Sequence, residues 1–142
     1  MPPLASLDAH AVGTPVPSLT VTPGHSDIVA MSLATRDFHP VHHDLEVARA
    51  AGHPALFINI MTTTGLVERF VRSWAGPRAR IVKLRLKLGV PHYAGEALLI
   101  QGHIANVEVD QAGNWLEVEF SGTNARGRHA SGIVRVTPAT GR

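Results

Sequence analysis

Apolar residues at three- and four-residue spacing form the clearest pattern in the chain, and this spacing is typical of one face of an α-helix. The pattern predicts one long helix over residues 57–74, which Gly76 and Pro77 end because proline cannot continue a helix. Its apolar face consists of Phe57, Ile60, Met61, Thr64, Val67, Val71 and Trp74. Gly65 lies within this helix, where glycine costs about 1 kcal/mol relative to alanine. We therefore expect a neighbouring sheet to approach closely at Gly65.

After the helix, apolar residues recur at every second position, which is typical of a β-strand with one solvent-exposed face. Across residues 80–88, valine and leucine alternate with lysine and arginine. Further strands are predicted at residues 97–109, 115–123 and 129–137. Gly113 and Gly127 mark the turns between them. One long helix followed by a meander of four strands is an α+β architecture.

The part of the chain before the long helix is less regular. It holds a short strand at residues 18–22, a short apolar element at 27–33, a polar loop at 36–44 and a short helix at 45–51. We divide the chain into an N-terminal arm, one folded domain and a C-terminal tail, at residues 1–25, 26–137 and 138–142.

Composition excludes several classes of function. With 142 residues the chain suits one domain, and the absence of cysteine rules out disulfides, thiolate metal sites and a cysteine nucleophile. We expect a reducing cytoplasm as its location, since no signal peptide is apparent. Apolar runs are broken well before about 18 residues, so no membrane span is expected. The net charge is only +2 and the bases are dispersed, which argues against a nucleic-acid partner.

The segment with the most candidate chemistry is residues 36–44, Arg-Asp-Phe-His-Pro-Val-His-His-Asp. Pro40 restricts the backbone between Asp37 and His42 and so favours a fixed separation of the two side chains. Such a pair can hold one water and share a proton. Taken alone, the residues also permit a loop aspartate that caps the next turn, with a surface histidine. A metal cluster of nearby histidines is the third interpretation, without the helical spacing of many metal sites.

This segment resembles the signature of the MaoC-type dehydratases and R-specific enoyl-CoA hydratases, Gly-Asp-Phe-Asn-Pro-aliphatic-His. The matching positions are Asp37, Phe38, Pro40, Val41, His42, Asp44 and Ala48. The resemblance continues through the long helix and residues 91–96, and it covers about residues 26–136. It implies the hot-dog fold, in which an antiparallel sheet wraps a long central helix. It also implies reversible hydration of a trans-2-enoyl-CoA to a 3-hydroxyacyl-CoA.

The same resemblance implies roles for individual residues. Asp37 would act as the base on water, and His42 would orient that water and exchange the proton. The backbone N–H of Ile60, at the start of the long helix, would bind the thioester oxygen, although the family often has glycine there. Asn59 and His39 are candidate substrate-binding residues. No metal or redox cofactor is implied, because CoA is part of the acyl-CoA substrate.

Departures from the family signature point to a narrower resemblance. Arg36 stands where the family has glycine, and His39 stands where it has asparagine. With Leu-Phe-Ile-Asn at residues 56–59, this form resembles the small MaoC-like subunits of actinobacterial steroid side-chain degradation. These subunits act on bulky steroid-acyl-CoA esters together with a second MaoC-like chain. We therefore expect a homodimer or a heteromer with a second MaoC-like chain.

Two other functions stay open at this point. A hot-dog thioesterase also binds acyl-CoA, but it cleaves the thioester, and the order of Asp37, Pro40 and His42 argues against it. A non-catalytic or half-site subunit would complete a site on a second chain. The altered positions Arg36, His39 and Ile60 favour that idea, whereas retention of Asp37 and His42 argues against it.

Overall fold

A five-stranded antiparallel sheet packs against one long helix in the computed structural model, which describes residues 10–110 and 113–137. The elements follow in the order β1 (Pro15–Val21), α1 (His25–Ala34), α2 (Leu45–Ala50), α3 (Ile60–Ala75), β2 (Arg80–Leu88), β3 (Leu98–Asp110), β4 (Gly113–Asn124) and β5 (Gly127–Thr137). The α+β class and the hot-dog layout predicted from the sequence are confirmed.

Helix α3 begins three residues later than its apolar pattern predicts. The side chain of Asn59 accepts a hydrogen bond from the backbone N–H of Thr62 at 2.8 Å and so caps the helix. Phe57 lies before this cap and forms a β-bridge with Tyr93. Ile60 in the first turn is 50% exposed. The predicted apolar face is therefore confirmed only for its later members, which are buried: Val67, Val71 and Trp74.

The expectation for Gly65 is wrong. A Cβ added to this residue would meet no atom within 4 Å, and Gly65 is exposed. The buried face of α3 carries Thr63, Val67 and Phe70, so Gly65 lies on the opposite side of the helix from the core. Glycine is not required at this position by any contact among the described residues.

The sheet order is β1-β3-β4-β5-β2, so only β3, β4 and β5 form a meander. The predicted meander of four strands is wrong for β2, which pairs with β5 at the far edge. Gly89 continues this pairing by donating to the His129 carbonyl at 2.7 Å. The chain then crosses to the other edge, where Gly95 donates to the Pro23 carbonyl at 2.8 Å and β3 starts beside β1.

Part of the predicted arm belongs to the sheet. Strand β1 pairs with β3, for example Leu19 with Ile100. We propose that the folded domain starts at β1 and not at residue 26. The predicted C-terminal tail, residues 138–142, lies outside the described residues, as do residues 111–112 of the turn around Gly113.

The core lies between α3 and the inner face of the sheet. Burial of each large aliphatic or aromatic side chain there contributes about 1.5–3 kcal/mol. The fully buried members from α3 and the strands include Val67, Phe70, Val71, Leu98, Ile100, Ile104, Leu116, Val118, Val134 and Val136. No helix in the described part of the chain is long and apolar enough to cross a membrane.

We expect the protein to form a dimer or a larger assembly in solution. The outer side of β2 pairs with no other strand among the described residues, and Val82 on β2 is 50% exposed. An open strand edge with exposed apolar residues is a template for another chain. Light scattering at micromolar concentration should therefore return a multiple of the chain mass.

A mass near 15.2 kDa at that concentration would contradict this expectation. Val82→Lys should shift the assembly toward smaller species, because a charge on an edge strand opposes pairing. Val109→Lys is the matched control, since Val109 is also an exposed apolar residue but lies on β3.

Candidate active site

The hydrogen bonds that end helix α1 fix the position of Asp37. Arg36 has a φ of 55°, the left-handed conformation that favours glycine. The N–H of Arg36 donates to the Leu33 carbonyl and the N–H of Asp37 to the Ser32 carbonyl, at 3.1 and 3.0 Å. These two bonds form the Schellman motif of a helix C-terminus. The Ser32 hydroxyl also donates to the Asp37 carbonyl, so the backbone of Asp37 is fixed on both sides.

His42 faces Asp37 from a short 3-10 turn, Pro40–His42, in the same loop. The distance between His42 Nε2 and Asp37 Oδ2 is 3.6 Å. His42 Nδ1 lies 2.8 Å from the carbonyl oxygen of Phe57, to which it donates its proton. In its neutral form the ring therefore presents the Nε2 lone pair toward the Asp37 carboxylate. The pair singled out from the sequence is brought together, with His42 buried and Asp37 partly exposed.

The Asp37 carboxylate is held by two hydrogen-bond donors. Its Oδ2 accepts from Asn59 Nδ2 at 2.9 Å, and its Oδ1 accepts from the backbone N–H of His39 at 3.2 Å. The bond from Asn59 is the largest cause that lowers the pKa of this carboxyl, followed by the bond from His39. Desolvation acts in the opposite direction but is outweighed, and His42 and His39, when protonated, lower it further through their positive charge. Asp37 is therefore ionised at neutral pH.

The start of α3 forms another wall of the site. Ile60 is the first residue of this helix, and its backbone N–H donates to no acceptor among residues 10–110 and 113–137. Free N–H groups and the positive end of the helix dipole favour a negatively charged oxygen at this point. Of the predicted residues, Asn59 contacts Asp37, and Ile60 follows Asn59 at the start of the helix. The His39 side chain is exposed, with its ring centroid 6.2 Å from that of His42.

Behind the site lies a buried polar cluster that the sequence did not reveal. His129 Nδ1 donates to the Val90 carbonyl at 2.7 Å, which leaves Nε2 to accept from the Thr63 hydroxyl at 2.9 Å. The same hydroxyl lies 3.2 Å from the carbonyl oxygen of Asn59. His92 is fully buried, with its ring centroid 5.7 Å from that of His129. Strand residues such as these carry no motif, so only the three-dimensional contact identifies them.

The other histidines near the loop are directed to different surroundings. His43 lines an apolar groove of about 510 Å³ with residues of α1, and His53 Nδ1 lies 2.9 Å from the Tyr93 hydroxyl. Across the described ranges, no three or more histidine, aspartate and glutamate side chains are grouped so as to hold a metal ion. The side chains that the structure does bring together, Asp37 and His42, can act as an acid–base pair.

Comparison with known proteins identifies relatives over most of the chain. Residues 10–132 match the family model of the FAS1-like dehydratase domain region. The chain is 40% identical over 126 residues to the 3-oxo-4,17-pregnadiene-20-carboxyl-CoA hydratase beta subunit of Mycobacterium tuberculosis, which covers 89% of this chain and 95% of that protein.

Solved structures of similar proteins have the same fold as this chain. A chain in the crystal structure of the ChsH1–ChsH2 complex from Mycobacterium tuberculosis is 39% identical, with a TM-score of 0.84 over 90% of this chain and 98% of that chain. The (R)-hydratase from A. caviae has a TM-score of 0.81 over 90% of this chain and 96% of its own, at 16% identity. At that identity the similarity establishes the fold alone.

The buried histidines should make the protein less stable as the pH falls from about 6.5 to about 4. Desolvation, and then the charge of His129, lower the pKa of His92 from 6.5 to about 4. Between these values the unfolded chain binds a proton that the folded chain does not, so stability is lost with falling pH. One such group gives a slope of up to about 1.4 kcal/mol per pH unit. Urea unfolding at pH 6.5, 5.5 and 4.5 measures this slope.

His92→Gln should reduce the slope, and a residual slope should remain because burial also lowers the pKa of His129. The lowered pKa of Asp37 affects stability only below about pH 4, outside this window. His25→Gln is the control, since it alters an exposed histidine and should leave the slope unchanged. Equal slopes in the wild type and His92→Gln would refute the conclusion that His92 contributes to this loss of stability.

Proposed function

We propose that this chain, which belongs to the MaoC-like hydratases and to the family of the FAS1-like dehydratase domain region, adds water to a trans-2-enoyl-CoA. The observation that carries the proposal is the pair formed by Asp37 and His42. Its two facing atoms are 3.6 Å apart, so a single water can contact both at ordinary hydrogen-bond distances. Hydration of a conjugated thioester needs such a positioned water and a base.

Asp37 acts in this proposal as the base, since its lowered pKa keeps it ionised. His42 accepts the second hydrogen of the water at Nε2, because its Nδ1 proton is held by the Phe57 carbonyl. The water oxygen bonds to the β-carbon of the enoyl group while one of its protons passes to Asp37. The enolate that results takes a proton at its α-carbon through the pair. One water is thereby added and no proton is gained or lost.

The charge that develops on the thioester oxygen needs a hydrogen-bond donor. We propose the backbone N–H of Ile60 for this role, since this group has no acceptor in the part of the chain that is described. Its place at the N-terminus of α3 adds the favourable helix dipole. A branched side chain in place of the family's glycine leaves this N–H unchanged. The exposed His39 side chain beside the pair is a candidate contact to the substrate.

We propose further that the acyl group is bulky and that a second MaoC-like chain covers the site. The relative at 40% identity acts on a pregnadiene carboxyl-CoA and is a beta subunit. Phe38 follows Asp37 in the loop and Met61 lies in the first turn of α3; they are 64% and 54% exposed and offer apolar surface to a ring system or to a partner. The same exposure supports a second candidate function, a half-site subunit whose reaction is completed by the partner chain.

Changes to the pair test the hydratase proposal directly. Asp37→Asn removes the base while it keeps the shape, and His42→Ala removes the group that orients the water. Each should lower turnover by at least about a hundredfold, because acid–base groups typically contribute about 10²–10⁴-fold. The double variant should be little worse than the poorer single variant, since both residues act on one water. These rates are measured by monitoring the loss of absorbance as an enoyl-CoA is hydrated, with any partner chain present.

His43→Ala is the control for the pair, since His43 lines the apolar groove and not the space beside Asp37. Loss of activity in His43→Ala but not in His42→Ala would show that the wrong histidine is assigned. Activity that survives both Asp37→Asn and His42→Ala in a folded assembly would favour the half-site subunit. Release of free thiol from a saturated acyl-CoA would instead favour a thioesterase.

The acyl preference is a separate prediction. If the site binds a bulky ring system, a steroid enoyl-CoA should be hydrated with a higher kcat/KM than crotonyl-CoA, because more apolar surface is buried with the larger group. The two substrates are compared with the same enzyme assembly, so differences in folding or partner binding cancel. Clearly faster turnover of crotonyl-CoA would refute the preference while leaving the hydratase proposal intact.

A further inference from the structure

Asn59 is a polar residue whose side-chain amide is fully engaged within the protein. It is 5% exposed, at the junction between helix α3 and the site loop. Its Oδ1 accepts from the N–H of Thr62 at 2.8 Å. Its Nδ2 donates one proton to Thr35 Oγ1 and the other to Asp37 Oδ2, each at 2.9 Å. Both amide protons are therefore committed, and none is left to donate to a substrate.

The orientation of this amide is fixed by its partners. A flipped amide would place Oδ1 against the Asp37 carboxylate, where two acceptors repel each other, and it would leave the N–H of Thr62 without its cap. The capping bond from Thr62 fixes Asn59 to α3. The bond from Asn59 to Asp37 then connects α3 to the loop that carries Asp37 and His42. The same carboxylate oxygen that accepts from Asn59 faces His42 Nε2 at 3.6 Å.

We propose that Asn59 is a positioning residue for Asp37 and does not bind substrate. This inference rests on the function proposed above. The amide holds Oδ2 of Asp37 at the point where it faces His42, and it does so from the N-cap of α3, next to Ile60 with its free N–H. One side chain thereby sets the distance between the base, the water site and the oxyanion donor.

The charge environment of Asp37 agrees with this role. The titratable groups that act on the carboxylate are His42 and His39, both from its own loop, whereas the N-cap of α3 contributes the uncharged Asn59. The bond from Asn59 lowers the pKa of Asp37 more than any of the other contacts. Loss of this donor should therefore raise the pH at which the base becomes ionised.

The variant Asn59→Asp distinguishes a role of Asn59 in positioning Asp37 from a purely structural role in capping α3. Aspartate has the same shape and caps a helix as well as asparagine, so α3 should persist. It replaces the donor with a second carboxylate facing Asp37 Oδ2, which repels the base instead of holding it. We expect kcat to fall by at least about tenfold, with a smaller change in KM, and the acidic limb of the kcat–pH profile to move to higher pH.

Asn59→Ser is the second variant, because serine also caps a helix but is too short to reach Asp37. It should show a similar loss of kcat and the same direction of the pH shift, without the added charge. Asn106→Ser makes the same substitution at an exposed residue of β3 and serves as the matched control. Wild-type kcat and an unmoved acidic limb in Asn59→Asp would overturn the inference while the hydratase proposal stands.

A readout without activity distinguishes the two proposals. Carboxyl carbon-13 NMR of the full chain follows its aspartates, which are Asp8, Asp27, Asp37, Asp44 and Asp110. The Asp37 signal is assigned by its loss in Asp37→Asn. A higher pKa of Asp37 in Asn59→Ser than in the wild type supports the inference even if no enoyl-CoA is hydrated. An unchanged pKa overturns it, whatever the enzyme assay shows.

Discussion

The hydrogen bond between Asn59 Nδ2 and Asp37 Oδ2 connects the core of the protein to the loop of the candidate site. On one side of this bond lies α3, which is held by the core through residues such as Val67 and Phe70. On the other side lies the loop that carries Asp37 and His42. An interior packed at crystal-like density transmits small displacements, so the position of α3 sets the geometry of the loop. The Phe57 carbonyl, just before α3, holds His42 in the same way.

The start of α3 must satisfy polar groups that lie close to the apolar core. Thr63 faces inward and finds its partner in His129, whose other nitrogen is bound by the Val90 carbonyl. Burial keeps His129 and His92 neutral near pH 7, so these groups give directed hydrogen bonds without an unpaired charge. Protonation of either ring would put a charge behind the loop that carries Asp37 and His42. Stability and the shape of the site therefore depend on the same buried rings at low pH.

Sequence patterns located the strands β2 to β5 and the closeness of Asp37 to His42, because both depend on short-range signals. Alternation gives a strand such as β2, and Pro40 between Asp37 and His42 gives a fixed loop. Strand order depends on contacts between distant residues, so the place of β2 beside β5 was not predictable. For the same reason, the hydrogen bond between Asn59 and Asp37, which are 22 residues apart, could not be predicted from the sequence. From the sequence, Asn59 lay inside the predicted helix and was only a candidate substrate-binding residue.

Arg36 illustrates how a departure from a family signature is accommodated. A non-glycine residue in the left-handed region costs roughly 1–2 kcal/mol. The two backbone bonds of the Schellman motif, at Arg36 and Asp37, each contribute about 0.5–1.5 kcal/mol and offset that cost. The left-handed turn is thus required to end α1, and glycine is the easiest but not the only residue that adopts it. The chain can therefore carry the exposed Arg36 next to Asp37 without displacing Asp37 from His42.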